Sequence, residues 1–181
     1  MPYEIAQAIG IVATVITILS FQQKNQKGIV ICQMTSAALW TIHFFSLGAI
    51  TGALLNLIAA VRNAIMTKRS KWKWTGSPVV IAVTLALSLA VYVLMFTAFG
   101  TEPTAKNLIL EFIPVIGMLP TTLAFRETEG KRVRLLSLLN CPPWFTYNLF
   151  KGSIGGVITE SFCFISIIIG YFRNERKRTK T

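Results

Sequence analysis

Long apolar segments separated by short polar ones run along the whole chain. The apolar segments cover approximately residues 5–22, 29–46, 49–66, 78–99, 107–125, 132–150 and 153–172. A helix of about 20 apolar residues is long enough to cross roughly 30 Å of hydrocarbon. The pattern therefore predicts an all-α integral membrane protein with seven transmembrane helices.

Part of this pattern occurs twice, at a constant offset of 104 residues. The clearest pairs are Trp40/Trp144, Gly48/Gly152, Ile50/Ile154, Gly52/Gly156 and Asn56/Glu160. The fourth segment has no counterpart. The chain therefore divides into a first three-helix repeat (1–66), a basic loop with a linker helix (67–106), a second repeat (107–173) and a basic tail (174–181). Two units of three helices share one orientation only if a further span joins them, so we expect parallel repeats in a three-plus-one-plus-three order.

Composition supports the membrane class and charge gives the orientation. The chain has 181 residues, of which 53% are hydrophobic, and a mean hydropathy of +0.59. The net charge is +11, but Lys and Arg collect in alternate loops and in the C-terminal tail. This distribution predicts an outer N-terminus and a cytoplasmic C-terminus, with the tail beside anionic lipid. Nucleic acid is not an expected partner.

The cysteines and the first segment limit the other classes. Cys32, Cys141 and Cys163 lie inside apolar segments without the spacing of a metal site, so we expect unpaired thiols and no cofactor. The first segment has no basic region before it and no clear cleavage site after it. It is therefore interpreted as a retained helix and not as a signal peptide.

Polar and aromatic side chains at membrane depth mark the candidate site, because such side chains are costly in hydrocarbon. Ser36, Trp40 and His43 share one face of the second helix at positions i, i+4 and i+7. The repeat places Asn140, Trp144 and Tyr147 at the equivalent positions of the sixth helix, with Asn148 beside them.

The third helix of each repeat adds an amide or a carboxyl group. Asn56 and Asn63 share a face of the third helix, and Glu160 of the seventh helix takes the position of Asn56. If the repeats pack about a pseudo-two-fold axis, these faces meet in a central cavity. Two indoles could then hold a flat or ring-shaped solute while the amide and the carboxyl group bind its polar edge.

Structural roles are the alternative for several of these residues. Trp40 and Trp144 could be packing aromatics, and Asn56 could join two helices by a hydrogen bond. His43 lies toward the outer end of its helix, where a structural histidine is as good an explanation as a proton carrier.

The two carboxyl groups at membrane depth differ in what they suggest. A buried Glu160 is costly unless it is protonated, paired or hydrated, which favours a functional role. Glu111 lies near an outer helix end, from which it could reach the interface, so we expect it to be structural.

The layout resembles that of known small-solute transporters. A Trp in the second helix of each repeat and an Asn sixteen residues later are similar to the SWEET and PQ-loop superfamily, whose layout the PnuC vitamin transporters share. More closely, HFFSLG (43–48), LPTTLAF (119–125) and NLFKGSIGGVITES (148–161) resemble the bacterial YgjV-type inner-membrane protein family over nearly the whole chain.

The SWEET resemblance implies that Trp40, Asn56 and Trp144 line a solute pocket, with Glu160 where a second Asn would stand. This departure argues against simple sugar facilitation and fits a cationic or proton-coupled solute better. The PQ dipeptide is absent, since the first repeat ends Ser20-Phe21-Gln22-Gln23. The inner gate of those transporters therefore cannot be carried over.

Three functions remain, in decreasing order of support. The first is a secondary transporter for a small polar metabolite, working by alternating access around the Trp/Asn/Glu pocket. The second is a receptor, or a scaffold that binds lipid or a partner protein, because a fold does not fix a function. An intramembrane enzyme comes last, since no nucleophile–base set or metal cluster is visible.

Overall fold

The computed structural model describes residues 1–21, 26–68, 71–124 and 130–178. These residues form seven α-helices and no strand. The helices are α1 (Tyr3–Phe21), α2 (Gln26–Ser46), α3 (Ile50–Met66), α4 (Pro78–Thr97), α5 (Ala105–Ala124), α6 (Gly130–Phe150) and α7 (Ile154–Arg178), with a 3₁₀ helix at Lys73–Gly76. The all-helical class and a helix at each apolar segment are confirmed.

Only one helix end differs substantially from the prediction. The apolar segment ends near residue 172, whereas α7 continues to Arg178. The additional residues include Glu, Lys and Arg, which are good helix formers, so the loss of apolar character does not end the helix. The first five residues of the predicted basic tail, 174–178, are thus part of α7.

Three of the described helices are long and apolar enough to cross a membrane. Their apolar stretches are Tyr3–Ser20, Pro78–Thr97 and Ala105–Ala124. Shorter apolar helices cover Ile50–Met66 and Ile154–Ser166. The two remaining helices, α2 and α6, carry the aromatic side chains of the candidate site, Trp40 and Trp144.

The helices pack in an order that follows the chain. α2 lies between α1 and α3, and α6 lies between α5 and α7. The two groups meet where α1 contacts α7 and where α3 contacts α5. α4 packs against α3 and α5. The central core is mostly aromatic and aliphatic and includes side chains from both groups.

Two turns of the same form join α2 to α3 and α6 to α7. Gly48 and Gly152 have φ values of 69° and 67°, in the left-handed region that favours glycine. One backbone hydrogen bond of 2.9 Å recurs in both turns, from Ala49 N–H to the Phe44 carbonyl and from Ser153 N–H to the Asn148 carbonyl. Equivalent residues at the offset of 104 therefore have the same local backbone structure here.

Candidate functional site

Three aromatic rings form a ladder at the centre of the bundle. Phe44 stacks on Trp40 with ring centroids 5.7 Å apart, and its other neighbour is Trp144 at 6.1 Å. All three side chains are buried. Both predicted indoles are thus brought together, but Phe44 lies between them, in the space that the sequence analysis gave to a solute.

A glycine on α5 allows Trp144 to sit this deep. A Cβ atom added at Gly117 would lie 2.7 Å from both Cδ1 and Nε1 of the Trp144 indole. A side chain at residue 117 would therefore displace the ring. The close contact of α5 with α6 depends on this missing side chain.

A hydroxyl group lies below the first indole. The Nε1–H of Trp40 donates to Thr17 Oγ1 at 3.4 Å. Thr17 also forms a short hydrogen bond with Ser36 and donates to the Ala13 carbonyl at 2.9 Å. Ser36, one of the predicted site residues, therefore joins α2 to α1 below Trp40.

A threonine of α5 makes two of the equivalent hydrogen bonds, although no bond from Trp144 to it is described. Thr121 Oγ1 donates to Asn140 Oδ1 at 2.6 Å and lies 3.1 Å from the Gly117 carbonyl oxygen. Thr121 is the counterpart of Thr17, and Asn140 is the counterpart of Ser36. The sequence analysis missed both threonines, although a search at the offset of 104 finds them.

His43 joins α2 to α1 and to the start of α7, at the end of the bundle that holds the Gly48 and Gly152 turns. Its Nδ1–H donates to the Ala6 carbonyl at 2.7 Å, and its Nε2 lies 2.8 Å from Ser153 Oγ. Since Ser153 Oγ accepts the N–H of Gly156 at 3.1 Å, its own proton can go to Nε2. A neutral imidazole satisfies every one of these groups. This geometry favours the structural role for His43.

Tyr147, the counterpart of His43, makes the reciprocal connection. Its hydroxyl oxygen accepts the backbone N–H of Gly52 at 2.9 Å, in the first turn of α3. His43 reaches the first turn of α7 through Ser153, whereas Tyr147 reaches the first turn of α3 directly. The residue equivalent to Ser153 is Ala49, which has no hydroxyl group. Tyr147 is longer than His43 and reaches the helix with its own hydroxyl group.

Asn148 is buried beside this connection. It packs on Gly156, where even a Cβ atom would collide with its amide group. Its Oδ1 has no hydrogen-bond partner. Asn148 is the counterpart of Phe44, so the two halves place a ring and an amide at equivalent central positions.

Asn56 and Glu160 lie one helical turn beyond Gly52 and Gly156, and both are half-buried. Asn56 Nδ2 donates to the Gly52 carbonyl of its own helix at 2.9 Å. Glu160 forms a side-chain hydrogen bond with Cys141 of α6. Neither has a described contact with the indoles, so the aromatic pair and the polar pair of the predicted pocket are separate among the described contacts.

Asn63 takes part in a different polar group, near the C-terminal end of α3. Its Oδ1 accepts from Arg62 Nε at 3.3 Å, and Arg62 Nη1 donates to Thr122 Oγ1 of α5 at 2.8 Å. A small cavity adjoins this cluster. It lies away from the aromatic ladder.

Glu111 is buried and does not lie at the surface. Its side chain is 5% exposed, and Oε1 lies 2.7 Å from Lys151 Nζ. The ammonium group also lies 5.5 Å from the centre of the Tyr147 ring. This ion pair joins α5 to the end of α6, in keeping with the structural role expected for Glu111.

The chain was also compared with known protein families. The model of a family described as a bacterial inner membrane protein, Imp-YgjV, matches residues 4–178. The chain belongs to this family. The YgjV-type resemblance inferred from the sequence is therefore confirmed.

One relative extends this result. The inner membrane protein YgjV of Escherichia coli (strain K12) is 26% identical over 178 residues, which are 97% of this chain and 88% of the relative. No solved structure matches the chain. Membership of the YgjV family identifies a bacterial inner membrane protein with helical spans. The SWEET relationship and the solute remain predictions.

Proposed function

We propose that the protein is a secondary transporter that moves a small polar metabolite across the bacterial inner membrane. In this proposal two parallel three-helix repeats, 1–66 and 107–173, are joined by the linker helix α4. They rock about a central site and expose it alternately to the two sides. The side chains bind and orient the solute, and no covalent step is involved.

The observation that carries the proposal is that one indole from each half contacts the same ring. Trp40 and Trp144 are equivalent positions, and both contact Phe44. The matching turns at Gly48 and Gly152, together with the matching threonine hydrogen bonds, support a repeat. The contacts of α1 with α7 and of α3 with α5 are also equivalent under exchange of the halves.

Phe44 suggests which conformation the structure represents. It fills the space between the indoles, while His43 and Tyr147 join the halves at the outer end. Asn56 and Glu160 remain half-buried and make no described contact with the ladder. We infer a state that is closed toward the outside, in which solute binding requires Phe44 to leave the ladder.

The roles of the remaining site residues follow from their places. Trp40 and Trp144 stack on the solute, and Asn56 orients it by its amide. Glu160 either pairs with a positive group on the solute or carries a proton. The basic inner loops favour an outer N-terminus and a cytoplasmic C-terminus facing anionic lipid.

A ligand screen tests this function. Purified protein is heated with a panel of sugars, nucleosides and vitamin-like compounds, in parallel with the variants Trp144→Ala and Trp72→Ala. Trp72 is a suitable control because it is exposed and stacks only on Trp74 among the described aromatic rings. A transporter predicts a compound that stabilises the wild type and Trp72→Ala but not Trp144→Ala.

Uptake into proteoliposomes then tests the coupling. The compound found in the screen should accumulate in response to a pH gradient, and Glu160→Gln should abolish the pH dependence while the protein remains folded. Uptake that is independent of pH in the wild type would remove Glu160 from the mechanism.

The dense packing of the ladder favours a second candidate, a receptor or scaffold that binds lipid or a partner protein. A core filled by its own side chains needs no solute. In this case anionic lipid alone would stabilise the protein, equally in the wild type and in Trp144→Ala, and no metabolite would do so.

A further inference from the structure

A glutamine of α1 holds the beginning of α7. Gln7 Nε2 donates to the Gly152 carbonyl at 2.8 Å, and Gln7 Oε1 accepts the Ile154 N–H at 3.2 Å. The carboxamide thus uses both its donor and its acceptor on one turn of the other half. The α1–α7 interface, which is the contact between these two helices, is therefore fastened at the end of the bundle that holds the Gly48 and Gly152 turns.

Hydroxyl groups and close backbones hold the same interface two helical turns further along α1. Thr14 Oγ1 lies 3.0 Å from the Gly155 carbonyl oxygen and 2.9 Å from Thr159 Oγ1. A Cβ atom added at Gly155 would lie 2.8 Å from the Gly10 carbonyl carbon, so the two backbones are in contact. Interhelical hydrogen bonds and the close approach of small residues are the contacts that hold helices together in a membrane. The α1–α7 interface has both.

The α3–α5 interface, which is equivalent under exchange of the halves, is less polar. Where the α1–α7 interface has its two threonines, it has Met118 and Leu55, which are buried and apolar. The described hydrogen bond between α3 and α5 runs from Arg62 Nη1 to Thr122 Oγ1 at 2.8 Å. It lies near the C-terminal ends of both helices. Toward the N-terminal ends, the described residues show no hydrogen bond from α3 to α5.

A hydroxyl group in the first turn of α3 is buried without a partner. Thr51 Oγ1 makes no hydrogen bond, and its side chain is fully buried. Thr51 is the counterpart of Gly155, the residue at which α7 touches α1. The other described buried oxygens without a partner, in Glu111 and Asn148, belong to α5 and α6, and none belongs to α1 or α7. Because an unpaired buried hydroxyl group is unfavourable, Thr51 destabilises the closed arrangement relative to one in which it meets water.

The linker helix covers one of the two interfaces. α4 packs against both α3 and α5, whereas no described helix contacts both α1 and α7. A gap between α1 and α7 would therefore face lipid directly, where the freed polar groups find no partner. A gap between α3 and α5 would lie behind α4. The bundle can thus open at the α3–α5 interface at a smaller cost.

We propose that the two halves part at the α3–α5 interface alone, while α1 and α7 stay joined as a hinge. The opening begins at the N-terminal ends of α3 and α5. There the movement breaks the bond of the Gly52 N–H with Tyr147 and brings the Thr51 hydroxyl group into contact with water. The bond of Arg62 with Thr122 lies beyond the opening and keeps the other ends of the two helices together.

This opening leads to the aromatic ladder. A Cβ atom added at Gly52 would lie 3.2 Å from Cγ of Phe44, so α3 forms a wall against that ring. When α3 moves away, Phe44 gains the space it needs to leave the indoles. The use of the opening as a solute path rests on the proposed function, whereas the opening itself does not depend on transport.

Distances between spin labels, measured by pulsed electron paramagnetic resonance in lipid nanodiscs without solute, test the proposal. Ile50→Cys with Ile109→Cys reports on the α3–α5 interface. The equivalent pair, Ile5→Cys with Ile154→Cys, reports on the α1–α7 interface. Both pairs are placed in a chain without native thiols, which carries Cys32→Ser, Cys141→Ser and Cys163→Ser. We expect a second, longer distance for the Ile50/Ile109 pair and a single distance for the Ile5/Ile154 pair.

Three variants should change these distances in different ways. Tyr147→Phe removes one bond that closes the α3–α5 side, so the longer Ile50/Ile109 population should rise about threefold, the factor for one interhelical hydrogen bond. Thr51→Val keeps the shape of the side chain without the unpaired hydroxyl group, so the same population should fall. Neither variant should affect the Ile5/Ile154 pair, whereas Thr14→Val should give that pair a second distance.

Two results overturn the proposal. One is a second distance for the Ile5/Ile154 pair without any further substitution. The other is a single distance for the Ile50/Ile109 pair both with Tyr147 in place and in Tyr147→Phe. If Tyr147→Phe does not fold, the pairs without it decide alone. Failure of the ligand screen leaves these results unaffected, and a transporter whose halves part at both interfaces would contradict this inference but not the proposed function.

Discussion

The Tyr147 hydroxyl accepts the backbone N–H of Gly52 at 2.9 Å, which joins the end of α6 to the start of α3. The first N–H groups of a helix have no partner within the helix. Tyr147 satisfies one of them from the other half of the molecule, and its side chain is fully buried. The contact therefore links the two halves at a position where water cannot replace the lost partner.

Tyr147→Phe should lower stability without changing the fold. The variant keeps the ring but leaves the Gly52 N–H buried and unpaired, which we expect to cost about 1–3 kcal/mol. SDS-driven unfolding in mixed micelles measures this difference. Tyr92→Phe is the control, because the Tyr92 hydroxyl bond is long and exposed. Equal stabilities of the two variants would contradict the capping role.

His43 and Ser153 should be energetically coupled. The two side chains share one hydrogen bond, so removing either leaves the other unsatisfied. The single variants His43→Leu and Ser153→Ala and their double variant should give a coupling energy of about 0.5–3 kcal/mol. Ser153→Ala combined with Thr97→Ala is the control pair, because Thr97 is exposed and bonds only to the Val93 carbonyl of its own helix. An additive His43/Ser153 cycle would argue against the connection.

The helices and the candidate faces could be predicted from the sequence, but the packing of Phe44 against both indoles could not. Apolar segments of membrane length determine where helices form, and the i, i+4, i+7 spacing shows that Trp40 and His43 share a face. Phe44 gave no such signal, because an apolar residue in an apolar segment is expected at any lipid-facing or buried position. The role of Phe44 depends on a side chain from another helix, which spacing along one helix does not contain.

The partner of Glu111 could not be predicted either. Its place near a helix end suggested access to the interface, but the side chain is buried and pairs with Lys151. Position along one helix does not show which side chains of other elements pack over a residue.

Gly117→Ala should disturb the aromatic ladder through Trp144. The new methyl group would lie 2.7 Å from the indole, so the ring must move. Overpacking of this kind costs about 1–3 kcal/mol. We expect a lower unfolding temperature and a changed tryptophan emission spectrum. The neighbouring exposed residue gives the control, Ile116→Ala, and the same spectral change in that variant would show that the effect is not specific to the ladder.

Phe44→Ala should open a cavity between the two indoles. Removing a buried Phe side chain costs about 3–5 kcal/mol when the surroundings do not collapse, and an apolar cavity of this kind binds benzene. Benzene should therefore raise the unfolding temperature of Phe44→Ala more than that of the wild type. Phe45→Ala is the matched control, because Phe45 is the next residue on α2 and is exposed. An equal rise in the unfolding temperature of the two variants would mean that benzene acts through the detergent. It would also mean that the space between Trp40 and Trp144 closes when Phe44 is removed.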